Sequence, residues 1–286
     1  MTRYRKINAE SLLSQRLLII APHMDDEILG CGGSILLHKD KSQIHCVYAT
    51  DGSRSPAPLL PWTGSIDSNI VEIRRREALQ VMQEVGIPQD NLVFLNFPDG
   101  ALSRNIREFR ARLGHEITRI DPSIVLAPFR YDLHSDHVAA NRCTRVILSR
   151  EERDRPLLEY IVYYRWRLIS SGDVRSMIPE SRILTVNTES VAARKSSAIY
   201  RYRSQTETPS AWQDQPVLTA KNIADRCGED ESFLISNPNE PLSRVFRKNR
   251  YKVVTAHFLQ RVGKRRKDQL VAFFKWLLQF GEKNDA

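Results

Sequence analysis

Short apolar runs alternate with longer amphipathic stretches through the first half of the chain. Leu17–Ala21, Ile44–Thr50, residues 92–95 and residues 124–127 are largely apolar runs of four to seven residues without polar alternation. Such runs fit strands buried on both faces, as in a parallel sheet. Between them, residues 28–38, 70–85 and 106–120 carry hydrophobic positions at helical spacing, and residues 138–148 add a fourth such segment. Strand–helix alternation of this kind implies right-handed crossovers and helices on both faces of the sheet. The pattern therefore predicts an α/β, Rossmann-like three-layer αβα fold with a mainly parallel sheet. Asp51-Gly52, Pro98-Asp99-Gly100 and Asp121-Pro122 fall where those elements should end.

The second half is less regular. Residues 160–166 and Ile183–Val186 read as strands and residues 192–202 as a helix, while 205–220 and 236–249 read as irregular linkers. Residues 53–68 are rich in Ser, Pro and Gly around Trp62, the composition of a long loop that is either a functional lid or disordered. No internal repeat is evident.

Length and composition narrow the class. A chain of 286 residues, 41% hydrophobic and 27% charged, can bury a sizeable core. Its 12 Gly and 14 Pro are too few for a collagen-like or low-complexity chain. Cys31, Cys46, Cys143 and Cys227 form no CxxC pair, which argues against a disulfide framework or a cysteine zinc knuckle and for a reducing compartment. The N-terminus lacks the pattern of a secretory signal, and no run approaches the roughly 20 apolar residues of a spanning helix. A cytoplasmic protein is expected.

Charge divides the chain in two. The formal net charge is +9, and residues 241–286 alone, with 12 basic and 3 acidic side chains, account for all of it. The expected organisation is a catalytic domain over 1–240 and a basic amphipathic helical extension over 241–286. Within the extension, Leu270, Phe273, Phe274, Leu277 and Leu278 share one helical face beside Lys264-Arg265-Arg266-Lys267. That arrangement suits either packing on the domain or peripheral membrane contact through 250–280. No nucleic-acid module accompanies it, so no nucleic-acid partner is expected.

Two polar clusters carry the candidate chemistry. Pro22-His23-Met24-Asp25-Asp26-Glu27 follows the first strand, and Asp132-Leu133-His134-Ser135-Asp136-His137 follows the strand at 124–127. Ligands bind beyond the carboxyl ends of strands in open α/β sheets, so the two clusters can share one crevice. Three consecutive acidic residues repel one another unless a cation compensates. Two imidazoles and a carboxylate make a three-donor site with an open position, suited to catalytic zinc or ferrous iron. A carboxylate outside that set can take a proton from an activated water, and a free histidine can polarise or protonate the substrate. Gly30-x-Gly32-Gly33 is no dinucleotide loop, because Asp25-Asp26-Glu27 would repel the pyrophosphate. His38, His45, His115 and His257 lie away from both clusters and read as structural or surface residues.

At these residues the chain resembles the PIG-L (LmbE-like) zinc-dependent N-deacetylases. The motifs Pro-His-x-Asp-Asp-Glu and His-x-Asp-His stand at 22–27 and 134–137. Gly30, Gly32, Gly33, Thr50-Asp51-Gly52, Arg74, Glu77, residues 95–100, Lys195, Ala198, Tyr202 and Ser204-Gln205 extend the likeness over about 16–235. The resemblance implies His23, Asp26 and His137 as metal ligands for Zn2+, with Fe2+ as the other choice. It implies Asp25 as general base, His134 as the group at the oxyanion or leaving amine, and Asp136 as the residue orienting His134. Arg74 and Asp99 match positions that reach sugar hydroxyls. The implied activity is removal of an N-acetyl group from an N-acetylglucosamine-type sugar, small or lipid-linked. The alternatives are an amidase acting on another small conjugate, and a glycan- or membrane-binding protein with an inactive site. Met24 and Ser135 stand where members often have Pro, and Asp132 stands where some have a tyrosine, which removes a tyrosine contact from that position.

Overall fold

The computed structural model describes residues 7–56, 69–151, 155–162, 173–209, 213–228 and 230–238. The extension at 241–286, most of the 53–68 loop and the end of the 160–166 segment lie outside these residues. After a short helix α1 (Ala9–Leu12), the chain runs β1 (Leu17–Ala21), α2 (Asp26–Leu37), β2 (Ile44–Thr50), α3 (Ile70–Glu84) and β3 (Leu92–Phe97). It continues through α4 (Ile106–Ile120), β4 (Ile124–Pro128), α5 (Ser135–Leu148) and β5 (Leu157–Tyr160). Then follow β6 (Ile183–Val186), α6 (Ala192–Tyr200), α7 (Arg203–Thr206), α8 (Ala220–Cys227) and β7 (Glu231–Ser236).

The seven strands form one sheet in the order β3-β2-β1-β4-β5-β7-β6. The first five are parallel; β7 pairs antiparallel with both β5 and β6. This is the expected α/β fold with a mainly parallel sheet. Every residue of β1 and β4 is buried, as their unbroken apolar sequences require. Leu17, Ile19 and Ala21 pack with α2 and α3 residues such as Ile28, Ala78 and Val81, while Leu18 and Ile20 pack with Phe109 and Leu113 of α4 and Ala140 of α5.

Topology, more than any single helix, places the site. From β1 the chain moves outward to β2 and β3, then returns to lay β4 on the other side of β1. The strand order therefore reverses between β1 and β4, and open α/β sheets bind ligands at the carboxyl ends flanking such a switch point. Both polar clusters emerge there.

Three expectations are corrected. The strand expected at 160–166 is β5, Leu157–Tyr160: it starts earlier, where Leu157 and Leu158 pair in parallel with Val125 and Leu126. The 205–220 linker begins inside α7 and ends at α8. Neither α8 nor β7 was expected. Among the described residues no helix is long and apolar enough to cross a membrane.

Close packing against α2 explains the glycines after the first cluster. A Cβ on Gly30 would stand 2.3 Å from Tyr160 Cδ2, and one on Gly33 would stand 2.4 Å from Thr188 Cγ2. The Tyr160 hydroxyl, donating to Ile20 O at 2.8 Å, fixes the ring that Gly30 must clear. Glu231 of β7 then clamps the helix, accepting from Gly33 N, Ser34 N and Lys195 Nζ at 2.6, 2.7 and 2.8 Å.

Candidate active site

The first cluster turns sharply from β1 into α2. Asp25, the residue before the helix, has φ 130° and ψ −27°, a region L-residues with side chains rarely occupy. Such strain costs on the order of 1–3 kcal/mol and persists only where surrounding contacts enforce it. Here Glu27 Oε2 accepts the Asp25 N–H at 3.1 Å, and the Tyr202 hydroxyl donates to Glu27 Oε1. The turn leaves Asp26 in the first helical turn, where its carboxylate accepts the His23 N–H at 2.9 Å and faces the positive end of the helix. The second cluster leads from β4 into α5, with His134 at the N-cap. His134 Nδ1 accepts from Asp136 N at 3.3 Å, so its ring proton sits on Nε2.

Three donor atoms from the two clusters converge. His23 Nδ1 lies 3.2 Å from Asp26 Oδ2, His137 Nε2 lies 3.1 Å from the same oxygen, and the two nitrogens are 3.3 Å apart. Donors held about 2.0–2.1 Å from a tetrahedral ion stand about 3.3–3.4 Å from one another, so this triangle fits a divalent metal. His134 adds a ring donor within 4.8 Å of those of His23 and His137. Its ring meets that of His23 edge-on at 4.6 Å between centroids.

The outer layer is acidic. The far nitrogen of His23, Nε2, lies 3.2 Å from Asp99 Oδ1 and 3.5 Å from Asp136 Oδ2. The far nitrogen of His137, Nδ1, lies 3.2 Å from Asp132 Oδ1. Asp25, Asp26, Glu27, Asp99, Asp132 and Asp136 are all buried. Six buried carboxylates around three imidazoles make a strong demand for positive charge.

The ionisation of the cluster answers that demand. Burial alone would lower the His23 imidazole, but Asp136, Asp26 and Asp99 hold it well above its ordinary value. Burial is likewise outweighed at His137, where Asp26 and Asp132 bring it up to about 9. Asp26 is held well below the usual carboxylate range, its burial overcome by His137 and His23. Burial pushes Asp25 up to about 7 against the pull of Arg74.

All eight residues singled out from the sequence gather here, two of them in unexpected places. Arg74 is only 1% exposed; its guanidinium donates to Met24 O at 2.6 Å and Gly52 O at 3.3 Å and lies 3.6 Å from Asp25 Oδ1. Asp99 is turned to His23 and accepts Arg54 N at 3.1 Å. Both face into the cluster. The Asp136 carboxylate accepts Gly100 N at 2.7 Å and Leu102 N at 3.1 Å, tying the loop after β3 to α5. Sequence reasoning missed the placement of Asp132 and the Glu27–Tyr202 contact, since nothing in local spacing shows which carboxylate will face an imidazole.

A buried His/Asp constellation at the switch point of a doubly wound sheet defines an enzyme-type site with a donor set for a divalent metal. Residues 18–148, which contain both clusters, match the family described as PIG-L, GlcNAc-PI de-N-acetylase. The probable N-acetyl-alpha-D-glucosaminyl L-malate deacetylase 2 of Bacillus subtilis is 27% identical over 202 residues, covering 68% of this chain and 85% of that protein. The N,N'-diacetylchitobiose deacetylase of Pyrococcus horikoshii has the same fold, with TM-score 0.56 and 20% identity over 79% of this chain and 84% of its own. So does the 4-carboxy-2-hydroxymuconate hydratase of Pseudomonas putida KT2440, with TM-score 0.50 and 17% identity over 80% and 98% of the two chains. The fold alone therefore does not select the reaction.

Proposed function

We propose that this protein is a metal-dependent deacetylase that hydrolyses the N-acetyl group of an amino sugar of the N-acetylglucosamine type, releasing acetate and a free amine. The observation that carries the reading is the 3.1–3.3 Å triangle of His23, Asp26 and His137 donors, with Asp25 beside it and outside the donor set. The match to a de-N-acetylase family and the names of the relatives support the substrate class.

His23, Asp26 and His137 would hold the ion, zinc by preference for two imidazoles and one carboxylate, with ferrous iron the other ion this set accepts. When bound, the ion polarises an amide carbonyl and lowers the pKa of water. Asp25 takes the proton from the attacking water as general base. His134, its ring proton on Nε2, would hydrogen-bond the developing oxyanion, and the proton taken by Asp25 would pass to the departing nitrogen as its bond to the carbonyl carbon breaks. Asp136 fixes that tautomer through its backbone N–H. Arg74 acts on Asp25 from inside the cluster, and Asp99 on the His23 ring, ahead of any contact with sugar hydroxyls.

The basic, aromatic sequence of 250–280 supports peripheral contact with a membrane and a lipid-linked substrate; liposome co-sedimentation with and without residues 250–286 tests it. The reaction itself is tested by measuring acetate and free amine released from a panel of N-acetylated amino sugars and other acetamides. Turnover of the sugars by the metal-loaded protein, lowered by orders of magnitude in Asp25→Asn, supports the reading. Turnover confined to acetamides that lack a sugar would replace it with the amidase alternative.

A further inference from the structure

Asp132 lies in the loop between β4 and α5, and the proposed mechanism gives it no role. Its side chain is fully buried, with Oδ1 3.2 Å from His137 Nδ1, the ring atom opposite the Nε2 that enters the donor triangle. The same Oδ1 accepts the His134 N–H at 3.1 Å, and the Asp132 N–H donates to Phe129 O at 3.0 Å, so the carboxylate is held at the mouth of β4. A carboxylate within hydrogen-bond reach of one imidazole nitrogen keeps the proton there, leaves the other nitrogen free to ligate, and makes it more basic.

We infer that Asp132 is a positioning residue for the metal centre: it fixes the His137 ring with Nε2 turned to the ion and couples that ring to the backbone of His134. This rests on the proposal that His23, Asp26 and His137 hold a metal. Asp132 touches no reacting atom in this account; it acts through His137.

The test is metal affinity, measured on the full chain by zinc competition with a chromophoric chelator, for wild type, Asp132→Asn and Asp132→Ala. Asn keeps an oxygen that can accept from both neighbours but carries no charge; Ala removes the acceptor. Loss of such a partner typically weakens metal binding by about 10–100-fold. The expected order is wild type, then Asn, then Ala, with Ala in that range and far-UV circular dichroism of the metal-free proteins unchanged. Nitrogen-15 spectra of the histidine rings supply a readout that general loosening would not move. In zinc-loaded wild type and Asn, His137 should show a protonated Nδ1 and a ligating Nε2, and in Ala this signature should be lost or mixed. Should Ala fail to fold, the Asn affinity decides, expected several-fold weaker than wild type. Zinc affinities of the folded variants within twofold of wild type would overturn the inference while leaving the metal centre standing. Absence of zinc binding by wild type itself would overturn the metal reading, and this inference with it.

Discussion

His23 Nδ1 and His137 Nε2, 114 residues apart in the chain, face each other at 3.3 Å across the carboxylate of Asp26. Two imidazoles and a carboxylate this close compete for protons, and a metal must displace those protons to bind. Burial opposes protonation of His137, yet Asp26 and Asp132 hold its pKa at about 9, and His23 is also well above its ordinary value. The metal-free site is therefore protonated at neutral pH. Zinc affinity should rise between pH 6 and 8, by about tenfold per pH unit for each proton displaced, with protons released on binding. Calorimetry in buffers of different ionisation enthalpy measures that release; a flat affinity profile would mean neutral rings in the free protein.

Glu27 gives a pH dependence of the fold itself. Burial raises its pKa from 4.5 to about 7, against the donated Tyr202 hydroxyl. A carboxyl whose folded pKa is raised stabilises the fold fully below its unfolded value and loses that contribution as pH rises through the folded one. In the metal-free protein this contribution, on the order of 3 kcal/mol, should fade between about pH 4.5 and 7. Urea titrations across that window should show the decline in wild type and a flatter profile in Glu27→Gln.

Gly30→Ala places a methyl where Tyr160 Cδ2 lies 2.3 Å away, and the Tyr160 hydroxyl bond to Ile20 O resists withdrawal of the ring. Overpacking of this kind costs about 1–3 kcal/mol. Because α2 carries Asp26, a shift of the helix should weaken metal binding as well as lower the melting temperature by several degrees. Thermal melting and zinc titration on the same sample check both.

The buried pair Lys195–Glu231, 2.8 Å apart, is a structural element outside the site. Removing one partner strands a buried charge, at a cost of about 3–5 kcal/mol. Lys195→Met should therefore be strongly destabilising, and Lys195→Met with Glu231→Gln less so, as a double-mutant cycle on denaturation free energies would reveal.

Much of this arrangement was legible before folding. Leu17–Ala21 and the apolar run that became Ile124–Pro128 are buried on both faces, and a strand of that kind leaves an unbroken apolar signature. Once those strands are parallel, residues that follow them share an edge, so His23, Asp26 and His137 could be brought together on paper. β7 was not legible, because Glu231–Ser236 begins with a charged residue and ends with a serine; both are buried and satisfied by partners distant in sequence, Lys195 and Arg130 among them. The burial of Arg74 was not legible for a related reason. An arginine in the run Arg74-Arg75-Arg76 resembles an exposed one until the strained turn at Asp25 presents the Met24 carbonyl and the Asp25 carboxylate to it. Asp132 differs again: its sequence position marks it only as a departure, and the chemistry comes from a ring one helical turn later.

The most direct test of the central claim is metal content by elemental analysis of wild type, Asp25→Asn and His137→Ala purified identically and reconstituted with zinc or, anaerobically, with ferrous iron. About one ion per chain is expected in wild type and Asp25→Asn, with loss in His137→Ala, since Asp25 lies outside the donor triangle and His137 within it. No metal in wild type after reconstitution, or equal metal in wild type and His137→Ala, would contradict the account.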